Sequence, residues 1–439
     1  MAEEFVYSVG AGAGFAGDRT DQAVKLARSG QVNVLGLECL AERTIVPAIR
    51  ARKANPEAGA DPRLRRRLAP LLPPAKQTGC RIVSNLGAAN PAAAGRAVAA
   101  LARELGCTGI RIAAVEGDDV TSLRDEIAWH EPLDGELIGA HAYIGADALL
   151  EPIVSGADVV VCGRAADSAL FAAPLLPHLD GSSDALAAAL TVGHLLECSG
   201  QVTGGNFEAS WETPLSAEDL ANLGYPIAHV RRDGSADITM LDDAPGRVDR
   251  LTCTVQLLYE VHDPTAYITP DAIVDFTTVR FEQVGCNRVR MTGPKHRGVP
   301  PTLKVSGFVA RRGIIADLEI GFAGTGALDR TRLAADCLRL RLSDWPENDI
   351  RIDIVGVDSI LGGASVPTNA LPAETRLHVS AVCADEAQAL IVEDEVYALT
   401  ISGPAGGGSV RNERRPRIDT LTGFIPRERV KPTVHWSVA

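Results

Sequence analysis

Short apolar runs alternate with longer stretches of helical periodicity along the first half of the chain, a succession that predicts strand, helix, strand, helix. The predicted strands cover residues 5–11, 33–37, 81–84, 110–115, a less apolar 136–140, and the valine run 158–162. Asp18 and Thr20 are natural caps for a helix over 21–29, an arginine-rich helical stretch runs on to Gly79, and Pro91 opens a further helix. Such a βαβ succession defines an α/β fold with a mainly parallel sheet flanked by helices in the N-terminal half. An apolar helix over 184–199 follows. From about Tyr225 the texture changes: a hairpin turns at Asp233-Gly234 and strands are predicted at 275–281, 288–291, 302–310, 313–322, 351–357 and 375–384. With helices at 329–342 and 386–398, these make a second α+β lobe of mixed strands. The expected division is 1–222 and 223–439, the second lobe closing a cleft over the first.

Polar residues follow the predicted strands. Parallel strands share one carboxyl edge, where α/β proteins bind ligands, so these residues should converge. They are Asp18, Glu38, Asn85, the acidic turn Glu116, Asp118 and Asp119, then Arg164, Asp167 and Ser168 beyond the valine strand. A guanidinium, a carboxylate and a hydroxyl at one strand-to-helix turn exceed what capping requires. The glycine turn with Gly12 and Gly14 is spaced too closely for the common dinucleotide fingerprint, and close backbone approach to a ligand or a neighbouring strand explains it better. His194 faces Glu197 along one helix; a core histidine bonded to that carboxylate accounts for the pair better than a metal site. The loop after it supplies Gln201, Thr203, Gly204 and Gly205, whose amides could receive an anionic oxygen. Lys304 stands in an apolar strand as either an inward cation or a solvated edge lysine, and a third glycine turn contains Gly406 and Gly407.

Composition narrows the classes. A chain of 439 residues exceeds one ordinary core, and a net charge of −13 argues against a nucleic-acid groove or an anionic membrane surface. Nine cysteines without a CxxC pair fit a reducing, cytoplasmic setting rather than a disulfide frame or zinc site. No long uninterrupted apolar segment predicts a membrane span.

Six motifs in order carry a resemblance: Gly12-Ala-Gly-Phe-Ala-Gly-Asp18, Val115-Glu-Gly-Asp-Asp119, Gly163-Arg-Ala-Ala-Asp-Ser168, Gly193-His-Leu-Leu-Glu-Cys198, Gln201-Val-Thr-Gly-Gly205 and Gly403-Pro-Ala-Gly-Gly-Gly408. The set resembles the acyclic terpene utilisation AtuA family, a domain of unknown function, over nearly the whole chain. Longer members carry an extra small C-terminal domain that is expected to be missing here. The resemblance implies catabolism of branched acids as acyl-CoA thioesters, and brings no catalytic residues with it. The reaction that the resemblance implies is that of a hydratase or lyase; carboxylate acid–base chemistry for it is assigned from the residues, with Asp167 and Glu116 for acid and base work, His194 and Glu197 near them, Arg164 on a substrate carboxylate and the Gly204 and Gly205 amides on an oxyanion. Coenzyme A would enter as the substrate's carrier, with no resident cofactor. Other readings are a ligand-binding subunit of an acyl-CoA complex, a thioester or amide hydrolase, and a magnesium enzyme using Glu116, Asp118, Asp119 and Asp167. A homo-oligomer, with a separate small subunit as a further partner, completes the expectation.

Overall fold

The computed structural model describes residues 4–208, 214–362 and 372–439. Two compact units emerge, the first comprising 1–132, 138–308 and 420–439, the second 133–137 and 309–419.

The first unit is built on a parallel sheet of β1 (Tyr7–Ala13), β2 (Val34–Leu37), β3 (Arg81–Ser84), β4 (Arg111–Glu116) and, after β5 (Glu136–Ala142), β6 (Val159–Cys162). In space the parallel strands run β1-β2-β3-β6-β4. β2 and β6 are buried at every position, as a sheet covered by helices on both faces demands. Those helices include α1 (Asp21–Ser29), α2 (Glu42–Ala54), α3 (Leu64–Leu68), α4 (Leu72–Thr78), α5 (Pro91–Glu104), α6 (Ala146–Val154), α7 (Ala169–Ala172) and α8 (Ser183–Glu197). Leu35, Leu68, Ile82, Val98, Ile112 and Val161 form part of one continuous core.

Antiparallel strands extend both edges into a ten-stranded mixed sheet. The hairpin β7 (Ile227–Val230) and β8 (Ala236–Thr239) pairs against β1. Beyond α9 (Arg250–Leu258) come β9 (Arg280–Gly285) and β10 (Arg288–Thr292). The sequence texture at 248–261 is mixed, and the structure resolves it as a helix capped by Asp249, which accepts from the amides of Leu251 and Thr252. β5 does not join the parallel sheet. It pairs with β11 (Thr302–Ala323), one continuous strand where the sequence pattern breaks it in two.

The second unit is an antiparallel sheet in the order β12 (Ile350–Val355), β13 (Glu374–Cys383), β11 and β14 (Gly408–Pro426). Strict alternation of buried and half-buried residues along β13 puts Leu377, Val379 and Ala381 under α10 (Ala327–Arg341) and α11 (Glu386–Ser402). β14 and the strand β15 (Thr433–Val438), which pairs antiparallel with β4, were not visible in the apolar pattern. No helix among the described residues is long and apolar enough to cross a membrane.

Candidate functional site

A cavity of about 750 Å³ opens at the carboxyl edge of the parallel sheet, lined wholly by residues of the first unit. The turn after β1 brings Gly14, the end of β2 brings Glu38, and the turn after β6 brings Arg164 and Asp167. Glu197 arrives from the end of α8 and Lys304 from β11.

Glu38 is buried at 6% exposure. Its Oε1 accepts from Asn85 Nδ2 at 3.0 Å and from the Leu40 amide at 2.8 Å, which leaves Oε2 as the natural place for a proton. Asn85 is itself fixed by accepting from the Cys39 amide at 2.6 Å. Burial pushes Glu38 up to about 8, with the nearby Asp167 charge adding to it and Arg164 opposing. Asp167 is likewise raised by burial, to about 6, although Arg164 pulls it down. Its side chain remains 40% exposed, so it is the more accessible of the two.

Arg164 holds Asp167 in place. Its backbone amide donates to Asp118 Oδ2 at 2.8 Å, and its guanidinium donates to the carbonyls of Ala165 and Leu40 and to Asp167 Oδ1. The guanidinium also stacks on the Tyr143 ring, 4.3 Å from its centroid. With 4% exposure it orients Asp167 from below and presents little of itself to a substrate carboxylate. Tyr143 donates to Glu42, whose carboxyl stays below its ordinary value because this bond and the Arg164 charge outweigh burial. Lys304 Nζ lies 4.9 Å from the centroid of the same ring. Lys304 and Arg43 are exposed cations on the cavity wall.

Other expected residues take different places. Asp18 lines the cavity, yet both its oxygens are committed: Oδ2 to the Gly14 amide at 2.8 Å and Ser199 Oγ at 2.7 Å, Oδ1 to the Arg19 amide at 2.7 Å and the Tyr225 hydroxyl. It ties the β1 turn to the end of α8. Gly14 is needed there, since a Cβ would stand 2.6 Å from the Cys198 carbonyl carbon, whereas Gly12 makes room for Leu37. The acidic turn disperses. Asp118 is buried, bonded to His141 Nδ1 at 2.8 Å; Glu116 pairs with His435 at 2.9 Å; Asp119 binds Thr121. β4 lies at the far side of the parallel order, so Glu116 and Asp119 line a separate cavity of about 590 Å³. Among the described residues no three His, Cys, Asp or Glu side chains are grouped to hold a metal.

His194 is a core histidine. Its Nε2 meets the Leu257 carbonyl at 3.1 Å and its Nδ1 meets Glu197 Oε1 at 2.8 Å, between the rings of Tyr267 and Phe276. A carbonyl only accepts, so Nε2 carries a hydrogen and the Glu197 contact shares the remaining proton. Ser168 is buried beside Tyr267 and outside the cavity lining. Thr203 spends its hydroxyl on the carbonyls of Gly200 and Gly224. Gln201 and Gly205 line the cavity, but the amides of Gly204 and Gly205 donate to the carbonyls of Gln201 and Gly200, so neither is open to an oxyanion. Gly406 and Gly407 belong to the second unit, in the turn leading to β14.

Several lining residues escaped the sequence reading: Glu42, Ser199, Tyr225, Tyr259 and Glu260. Glu42 is the first residue of α2, four positions past the strand-end Glu38, and its place at a helix start beyond a strand is its available signal. Ser199, Asn206 and Glu260 all adopt left-handed backbone, with φ of 46°, 49° and 59°, and all line the cavity. Such strain concentrates where a site imposes geometry on the chain.

Gly193 sets the distance between α8 and the Asp167 turn. A Cβ there would stand 2.2 Å from the Ser168 carbonyl oxygen. Gly193→Ala should cost at least about 1–3 kcal/mol through overpacking, read as an earlier midpoint in chemical denaturation. An unchanged midpoint would mean that the helix shifts freely.

Fold and site together define an α/β protein with a strand-end cavity in which two raised carboxyls flank a buried arginine. The chain belongs to the acyclic terpene utilisation family AtuA, whose family model matches residues 7–436. The comparisons found no match among the curated proteins and none among the solved structures.

Proposed function

We propose that the protein is an acid–base enzyme acting on branched carboxylic acids carried as coenzyme A thioesters, a hydratase or lyase. The observation that carries this reading is the pair Glu38 and Asp167, two neighbouring carboxyls poised at about 8 and about 6. At neutral pH one is an acid and the other a base, the division of labour that addition and elimination beside a thioester require. In hydration, Asp167 takes a proton from water as its oxygen bonds the β-carbon, and Glu38 delivers a proton to the α-carbon. In carbon–carbon cleavage, Asp167 takes the β-hydroxyl proton as the bond breaks, and Glu38 protonates the enolate so released. Lys304 and Arg43 are the cations suited to a thioester or carboxylate oxygen, taking the place expected of the glycine amides. Family membership supports the substrate class by association with acyclic terpene utilisation.

The pH profile tests this assignment. kcat/KM for a responsive branched acyl-CoA should be bell-shaped, with limbs near 6 and 8. Glu38→Gln should abolish turnover. It should also make the fold less sensitive to alkali: the native state keeps a proton on Glu38 between its ordinary 4.5 and about 8, whereas the unfolded chain has lost it, so wild-type stability falls as pH rises across that window. Turnover of a branched acyl-CoA that persists in Glu38→Gln would sink the assignment.

A further inference from the structure

We infer that a second cavity beside the first is an anion subsite built for a phosphate group. It has a volume of about 330 Å³, and its wall includes Gly17, Thr20, Arg19, Arg63, Arg66 and Arg67. Asp18 and Arg19 line both cavities, so the two share a wall.

The decisive residue is Arg67. Its guanidinium is buried, with the residue 3% exposed, and Nη2 donates to the carbonyls of Ala16 at 3.0 Å and Asp18 at 3.1 Å. Nε and Nη1 are buried without a partner. A permanently charged group left with two unmet donors is costly inside a protein unless an acceptor arrives to meet them. The surrounding acids are already engaged. Both oxygens of Asp18 are taken by the four donors described above, Asp21 pairs with Arg19 at 2.7 Å, and Asp61 Oδ1 accepts from the Arg63 amide at 2.6 Å, its charge shared between Arg63 and Arg67. Four arginines face two aspartates on the cavity wall. α1 also starts here; its cap residue Thr20 makes no side-chain bond to the first turn, where the Asp21 carboxylate stands, held by Arg19. Guanidinium forks form a donor set for phosphate oxygens.

This deepens the proposed function and rests on it for one step: a carrier such as coenzyme A would place its acyl group in the first cavity and a phosphate in the second. The phosphate chemistry itself is independent of turnover. Inorganic phosphate and pyrophosphate are the first probes, titrated calorimetrically into wild type, Arg67→Met and the surface variant Arg63→Ala/Arg66→Ala. The surface variant alters only exposed side chains, so it remains informative should Arg67→Met fail to fold. Wild type should bind pyrophosphate, and either variant should weaken it at least about tenfold, the equivalent of one lost charge-assisted hydrogen bond. Equal affinity in wild type and the surface variant, or no binding at all, overturns the subsite.

A second arm identifies the source of the phosphate. Wild type should bind a branched acyl-CoA at least about tenfold more tightly than the matching acyl-pantetheine, and the surface variant should lose that preference. Pyrophosphate binding without such a preference supports the subsite and overturns its assignment to the acyl carrier. A subsite that binds pyrophosphate in a protein without acyl-CoA turnover separates failure of the proposed function from failure of this inference.

Discussion

Asp167→Asn should lower kcat for a branched acyl-CoA by about 10²–10⁴-fold, the range expected when a positioned general base is lost. The amide keeps an oxygen for the Arg164 guanidinium, which Asp167 Oδ1 receives in the native protein. The turn after β6 should therefore keep its shape, and KM should move much less than kcat. What disappears is basicity: a group poised near 6 becomes one that takes no proton at any working pH. The kinetic signature is loss of the acidic limb of the pH profile together with the rate. A variant that keeps wild-type kcat would remove Asp167 from the chemistry and leave it as a counter-ion for Arg164.

The largest effect on stability is expected at Asp118. One oxygen, Oδ2, receives both the Arg164 amide and His141 Nδ1 at 2.8 Å, and the residue is 2% exposed. A Cβ on Gly163 would stand 2.3 Å from its Oδ1, so the carboxylate is packed as tightly as it is bonded. Asp118→Ala strands two buried donors and opens a void. Together these should cost about 3–5 kcal/mol in chemical denaturation, since each orphaned donor carries its full desolvation penalty. Catalytic loss should accompany it, because the Arg164 backbone is anchored there. A midpoint within error of wild type would show that Arg164 holds its place through its side chain alone.

How legible was this from the chain? Parallel strands announce themselves because burial on both faces leaves uninterrupted apolar runs, so 158–162 and 81–84 were read almost to the residue. The strand ends do bring Glu38, Arg164 and Asp167 to one cavity, with Asn85 bonded to Glu38. The rule that strand ends converge overreached at Glu116 and Asp119, because strand order in space is invisible in sequence and β4 lies outermost among the parallel strands. Asp118 looked like one acid among three, since its two donors come from residues 23 and 46 positions away. The glycine loop failed differently: local carbonyls satisfy its amides, and nothing in the composition of a loop reveals how it folds on itself. β14 stayed hidden because its first half is arginine-rich and exposed, so edge character masks the alternation.

The pairing of β15 with β4 bears on how the protein is made. Val434 lies opposite Val115, and Trp436 opposite Ala113, across more than three hundred residues of chain. During synthesis β4 emerges long before its neighbour exists, and for that interval it offers an open row of amides and carbonyls on one side. Completion of the sheet therefore waits for more than three hundred further residues to leave the ribosome. A ribosome stalled short of Thr433 would expose a sticky strand, the kind of surface that chaperones cover and that joins stalled chains to one another.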